Sequence, residues 1–308
     1  MQKPKALKKG DTVGLIAPSG VIMDHDRIKR AISFYEECGF KIKEGRNTRK
    51  QYGHMAGTPE EKAEDIHAMF SDDGVDGIIC LRGGSGSSRM ARLLNMQLIR
   101  ANPKVFVGYS DVTFLLIKLL QEGNMVAFHG LMSAISGPVS DFSKQSFLKA
   151  VTATTPLGEI KNPEGKELEC YYPGKVTAPI AGGNLTIVCH SMGTPFEIDT
   201  KDKILFIEDT NEKPYRSDGR LAQLLNAGKL DACAGFVIGD FHNCEADPDT
   251  PSQTNKEVLY DLIVSRKKPV LAGLQSGHCE PMITLPLGVS VTLDASSRKL
   301  VFEESCCV

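Results

Sequence analysis

The chain of 308 residues carries 36 Lys and Arg against 38 Asp and Glu, a formal charge of -2. That balance excludes a nucleic-acid binder as first expectation, because no cation excess is available to displace counterions from phosphates. With 41% hydrophobic residues the chain is too apolar to be disordered, while 6% aromatics and no Trp leave little surface for stacking bases or glycans.

Residues 12–17 (TVGLIA) form an apolar run closed by Pro18-Ser19-Gly20, the pattern of a buried strand and its turn. Over 26–38, Ile28, Ala31, Ile32 and Tyr35 fall at helical spacing, and Gly39 stops the helix. Residues 40–43 begin a second strand. Thr58-Pro59-Glu60-Glu61 predicts a helix start: a Thr cap, Pro at the first helical position, and a Glu three residues past the cap. Residues 77–81 (GIICL) are a third strand, feeding a Gly-rich loop at 82–86 and a helix over 87–94. A fourth strand at 105–107, a turn at 108–111, a helix at 112–120 and a fifth strand at 125–128 follow. This alternation predicts an α/β domain with a parallel sheet covered on both faces, of Rossmann-like or flavodoxin-like kind.

The rhythm stops near Ala150. Pro156, Gly158, Pro163, Gly165, Pro173 and Gly174 punctuate 151–175, which is expected to be a linker between an N-terminal domain (1–150) and a smaller, β-rich C-terminal domain (176–308). Strands are predicted there at 176–180, 204–207, 235–238, 270–273 and 289–293, with helices near 185–192 and 220–226. Two domains suit a chain of this length, at about 150 residues each.

No run approaches the ~18–20 apolar residues of a membrane span, and the basic opening MQKPK is not followed by the apolar stretch of a secretory leader. The nine cysteines are scattered, with no C-x-x-C pair, and Cys306-Cys307 is expected at a frayed end. Reduced thiols and a cytoplasmic location are the expectation, with no membrane and no nucleic-acid partner.

Residues 104–120 (KVFVGYSDVTFLLIKLL) read as strand, tight turn and apolar helix. A serine at such a corner projects at the carboxyl end of the strand, beside helix N–H groups that favour developing negative charge. That is the physics of a nucleophile elbow, although Val112 stands where G-x-S-x-G needs its second glycine. Ser110 is thus either a nucleophile or, with Asp111, a helix cap; turn chemistry leaves both open. The loop LRGGSGSS (81–88) is neither a P-loop nor G-x-G-x-x-G. Its glycines would form an anion nest, an oxyanion hole in which the Gly84 N–H joins that of Asp111, or a plain turn.

A serine needs an imidazole to take its proton and a carboxylate to orient that imidazole. Among seven histidines, His278 stands in a polar loop after a predicted strand, where catalytic bases are often placed. Glu208-Asp209 end the apolar run ILFIED, giving a rigid carboxylate at a strand end. No histidine or cysteine spacing suits a metal, and no cofactor is expected.

Together these segments resemble the LD-carboxypeptidase family of serine peptidases, which includes muramoyltetrapeptide carboxypeptidases and microcin C self-immunity peptidases. The resemblance runs through GDTVGLIAPSG (10–20), LRGGSGSSRMARLL (81–94), KVFVGYSDVTFLL (104–116), FHGLM (128–132), AGGNLT (181–186), ILFIEDTNEKPYRSDGRLAQLL (204–225) and GHCEPMITLPLG (277–288). It implies a Ser110–His278–Glu208 triad in a cleft between two domains, and a homodimer. The implied activity is hydrolysis of an L–D amide that releases D-alanine from cytoplasmic muropeptides in cell-wall recycling. Asn184 and Arg216 are candidate substrate contacts, Arg216 for a carboxylate. Ser85 replaces the family's usual Tyr, and Gly219 stands where the family often has Arg, with Arg220 one place later. A peptidyl-nucleotide substrate is the alternative; that activity in the family relies on an aromatic platform including Trp, which this chain lacks. A non-catalytic binder using the Gly-rich loop is the alternative of another class.

Overall fold

The computed structural model describes residues 1–132 and 137–308. Five strands lie in the first half: β1 (Thr12–Ile16), β2 (Lys41–Glu44), β3 (Gly77–Cys80), β4 (Val105–Gly108) and β5 (Ala127–His129). They pair in parallel in the order β5-β4-β3-β1-β2. Helices Asp26–Glu37, Pro59–Ser71 and Thr113–Gln121 connect them. The strands are fully apolar where they cross the sheet centre, as a sheet covered on both faces requires. The Thr58 cap forms as the spacing predicts: its hydroxyl accepts the Glu61 N–H at 3.3 Å, and the Glu61 carboxylate accepts the Thr58 N–H at 2.8 Å.

The second half adds β6 (Gly158–Ile160), β7 (Glu169–Tyr172), β8 (Lys175–Asn184), β9 (Ile204–Thr210), β10 (Gly235–His242), β11 (Val270–Ala272), β12 (Leu285–Leu287), β13 (Ser290–Asp294) and β14 (Lys299–Phe302). All but β12 form a mixed eight-stranded sheet, β6-β14-β13-β8-β9-β10-β11-β7, with β8 through β11 parallel. Residues 151–175 are more than a linker, since β6 and β7 cap the two edges of this sheet. β12 leaves its own half and pairs antiparallel with β5, so the first sheet contains a strand from each half of the chain. The C-terminus is not frayed. Cys306 and Cys307 are wholly buried, and Val308 exchanges backbone hydrogen bonds with Pro4 and Ala6.

In the first sheet the chain steps from β1 outward to β2, then back across to β3. The loops leaving β1 and β3 therefore diverge, and the crevice at their carboxyl ends is where α/β sheets of this order place ligands. The loops after β1, β3 and β4 all open there. Among the described residues no helix is long and apolar enough to cross a membrane.

Candidate active site

Ser110 follows β4 with only Tyr109 between them and has φ +61°, a left-handed conformation that costs a side-chain-bearing residue about 1–2 kcal/mol. The turn is set by close packing: a Cβ on Gly108 would lie 2.5 Å from Val112 Cγ1. The helix behind it, Thr113–Gln121, is buried along nearly its whole length and holds the corner in place. Neither Ser110 nor Asp111 caps that helix through its side chain. The Asp111 carboxylate instead accepts the Ser87 N–H at 2.9 Å, while the Asp111 carbonyl accepts the Ser87 hydroxyl at 2.7 Å. The Ser110 turn and the Gly-rich loop are thereby locked together.

Within that loop the residue pressed against Ser110 is Gly83. A Cβ there would lie 2.6 Å from both Ser110 Cβ and Oγ, so any side chain would occupy the hydroxyl's place. The Gly83 carbonyl is held by the Gly20 N–H at 3.1 Å, and Lys62, itself buried, donates to the Gly86 carbonyl at 2.9 Å. Burial pulls the Lys62 ammonium down to a pKa of about 8, against the pull of Asp111. Among the described residues the N–H groups of Gly84 and Asp111 have no protein acceptor, leaving them available as donors. Ser85 is exposed at the loop's tip.

His278 Nδ1 lies 2.7 Å from Glu208 Oε2. Strand alternation decides which carboxylate of the Glu208-Asp209 pair serves. Asp209, on the opposite face, is consumed by Asn184 Nδ2 at 3.0 Å and by the Thr186 hydroxyl at 2.7 Å. Glu208 is fully buried, with Oε1 unpartnered among the described residues. A Cβ on Gly277 would fall 2.7 Å from Glu208 Oε2, so the glycine lets the histidine loop descend onto the carboxylate. Burial opposes protonation of His278, but the hydrogen bond and charge of Glu208, with Asp209 and Asp240 behind it, prevail and raise its pKa above the ordinary value. Burial likewise raises the Glu208 carboxyl, with His278 acting against it.

Ser110 and His278 line one cleft of about 190 Å³ together with Arg27, Arg82, Gly83, Gly84, Tyr109 and Met132. The Tyr109 ring meets His278 edge to face, centroids 4.9 Å apart. Of the residues singled out in the sequence, Ser110, Glu208, His278, Gly84 and Asp111 converge here. Asn184 and Arg216 do not line this cleft. Asn184 caps helix Leu185–Ser191 through the Ile187 N–H at 3.2 Å, and its amide also serves Asp209. Arg216 is exposed, beside Glu212 at 3.6 Å and the Tyr215 hydroxyl at 3.1 Å. Sequence analysis does not single out Arg27, Arg82, Gly83 or Tyr109 as site residues, although the last three lie within its Gly-rich loop and turn. Among the described residues no cluster of His, Cys, Asp and Glu is arranged to hold a metal.

The chain matches the description of an LD-carboxypeptidase N-terminal domain over residues 13–130 and of an LD-carboxypeptidase C-terminal domain over 177–293. It is 39% identical to the "Probable murein peptide carboxypeptidase" of Bacillus subtilis (strain 168), covering 98% of this chain and 94% of that one. A solved structure of MccF in complex with glutamyl sulfamoyl guanosine superposes with a TM-score of 0.92 at 25% identity, covering 99% of both chains. A muramoyltetrapeptide carboxypeptidase from Oxalobacter formigenes superposes with a TM-score of 0.83 at 28% identity, covering 95% of this chain and 99% of that one.

Proposed function

The chain belongs to the LD-carboxypeptidase family and is a peptidase; from that premise we propose that it cleaves the L–D amide of muropeptides with a Ser110–His278–Glu208 triad, releasing terminal D-alanine. The observation that carries this reading is the convergence on one cleft of a serine held at positive φ and a histidine paired to a buried carboxylate. Ser110 Oγ attacks the scissile carbonyl as His278 Nε2 takes its proton. Glu208 fixes the tautomer through Nδ1 and stabilises the imidazolium. The N–H groups of Gly84 and Asp111 receive the oxyanion, a contribution worth about 2.7–4 kcal/mol per donor in other acyl-transfer enzymes. His278 then protonates the departing amine of D-alanine, and water resolves the acyl-enzyme by the reverse proton path. Cell-wall recycling in the cytoplasm, by a homodimer, is the setting we assign to this chemistry.

The likeness to MccF favours a second substrate, a peptidyl- or aminoacyl-nucleotide, for the same triad. Mass spectrometry of products after incubation with an L–D tetrapeptide and, separately, an aminoacyl-nucleotide analogue tests the choice. Loss of one D-alanine from the tetrapeptide supports the first reading. Cleavage of the nucleotide analogue alone supports the second, and hydrolysis of neither overturns both.

A further inference from the structure

Two charged side chains close on a single peptide group of the Gly-rich loop. The Lys62 ammonium donates to the Gly86 carbonyl at 2.9 Å, and the Asp111 carboxylate accepts the Ser87 N–H, at the other end of the same peptide, at 2.9 Å. The cation thus sits on the oxygen and the anion on the N–H, the favourable sense for a peptide dipole of about 3.5 D. Turning that peptide over would set its carbonyl against Asp111 and its N–H against Lys62. Gly86 has φ +117°, a conformation open to glycine, so the backbone itself offers little resistance to such a turn.

Lys62 is brought to this contact by helix Pro59–Ser71, and only 2% of it is exposed. Burying an ammonium is costly unless it is paired and hydrogen-bonded. Its hydrogen-bond partners among the described residues are the Gly86 carbonyl and, at 3.6 Å, the Met55 sulfur. A Cβ on Gly86 would stand 2.8 Å from Nζ and 2.6 Å from that sulfur, so the glycine is needed for the ammonium to reach the carbonyl. Asp111, from the turn after β4, and Arg89, from helix Ser87–Met90, are the charged groups that act on the ammonium, in opposite senses. A charge buried for the sake of one backbone oxygen suits a role in fixing that backbone, not a role in packing that a methionine would serve.

The backbone so fixed is the one beside Ser110. The Gly83 carbonyl is held by the Gly20 N–H at 3.1 Å and the Gly86 carbonyl by Lys62, so Gly84 and Ser85 form an arc anchored at both ends. Gly84, exposed and at φ +113°, stands on that arc with no protein acceptor for its N–H among the described residues. We propose that Lys62 is a positioning residue for the reaction: by holding the Gly86–Ser87 peptide against Asp111, it aims the Gly84 N–H at the oxyanion that forms when Ser110 attacks. The second oxyanion donor is the N–H of Asp111 itself, so one clamp sets the two donors relative to each other. The inference deepens the peptidase reading above and rests on it.

Lys62→Met and Lys62→Arg, assayed on the L–D tetrapeptide, test the role. Lys62→Met keeps the bulk and loses the donor. It should lower kcat about 100-fold, the scale of one oxyanion donor, with KM within about twofold of wild type, because the lost contact acts in the transition state. Lys62→Arg, which restores a cationic donor, should recover kcat to within about tenfold. Wild-type kcat in Lys62→Met, or a loss carried by KM, overturns the proposal. Amide hydrogen exchange reads the clamp without turnover: the Ser87 N–H should lose protection about tenfold in Lys62→Met and keep it in Lys62→Arg. Unchanged protection in Lys62→Met overturns the proposal. If Lys62→Met does not fold, kcat of the wild type and of Lys62→Arg, followed from neutral pH to about 10, decides in its place. The buried ammonium gives up its proton near pH 8 and the guanidinium does not, so the wild type should show an alkaline fall that Lys62→Arg lacks. Identical profiles overturn the proposal. Loss of Ser87 protection in Lys62→Met, with no hydrolysis of the tetrapeptide by the wild type, supports the clamp and overturns the peptidase reading.

Discussion

Glu208 and His278 lie 70 positions apart in sequence, yet the carboxylate at the end of β9 and the imidazole above it are joined by a 2.7 Å contact inside the second half of the chain. Ser110 comes from the first half and faces the same cleft. The Glu208–His278 pair is thus built on a strand of the second sheet and a loop beside it, while the Ser110 hydroxyl comes from the first sheet. β12, which carries the chain from the His278 loop into the first sheet beside β5, ties the two deliveries together.

The pair sets the pH dependence. His278 must be neutral to accept a proton, and its pKa lies above the ordinary 6.5 through Glu208 despite burial. The kcat/KM profile should therefore rise with pH, with its midpoint above 6.5. Glu208→Gln removes the charge that raises the imidazolium and leaves the burial that lowers it. The midpoint, followed by NMR titration of His278, should move down, and turnover should fall by roughly 10⁴-fold as the tautomer is lost. An unmoved midpoint would contradict the coupling.

Ser110 pays for its position with backbone strain. Ser110→Gly should abolish turnover yet raise the unfolding free energy, by about 1 kcal/mol once the added freedom of the unfolded glycine is subtracted. Urea denaturation reads this directly. A clear destabilisation would show that the positive φ is not a source of strain.

Gly83 has no room for a methyl group beside the hydroxyl. Gly83→Ala should cost turnover roughly 100-fold, by displacing the attacking atom about 1 Å, with the circular dichroism spectrum preserved. Wild-type kcat in this variant would remove the loop from the account.

His129 offers a test on stability. Both its ring nitrogens lack partners among the described residues, in a fully buried setting against Phe206 and Tyr109. Burial, with the charge of His278, lowers its pKa from 6.5 to about 3. Between those values the unfolded chain binds a proton that the folded chain refuses, so this group's contribution is present above pH 6.5 and lost as pH falls towards 3. Its slope is at most about 1.4 kcal/mol per pH unit. The raised His278 acts in the opposite sense, its contribution being complete below 6.5 and lost as pH rises through its folded value. His129→Phe should flatten the acid limb of stability against pH in chemical denaturation. An unchanged slope would locate acid sensitivity elsewhere.

Local patterns make the first sheet legible in the sequence. Its strands are short apolar runs bounded by Gly and Pro, and the Thr58 capping box and the 108–111 turn carry their own chemistry. The pairing of β12 with β5 was not legible, because partners as far apart as Phe128 and Pro286 leave no periodic trace in Leu285–Leu287. β6 and β7 were hidden by the Pro and Gly residues around them, which also bound edge strands. At the site, Ser110, His278 and the Glu208-Asp209 pair are strand-end or loop residues of the right chemistry, while the choice of Glu208 over Asp209 came from the family resemblance. Asn184 stands directly before a helix that the sequence places near 185–192 and the structure at Leu185–Ser191, so the cap position was legible there and points to a capping role rather than a substrate contact. Arg27 was invisible: nothing at the start of an amphipathic helix indicates that its residues face a loop 55 positions away.

The central claim is that Ser110 and His278 act as one unit, and a mutant cycle on D-alanine release from the L–D tetrapeptide tests it most directly. Ser110→Ala, His278→Ala and the double variant should each lose a similar factor, on the order of 10⁶-fold in kcat where such units have been dissected. Losses that multiply in the double variant, or turnover surviving in Ser110→Ala, would contradict it.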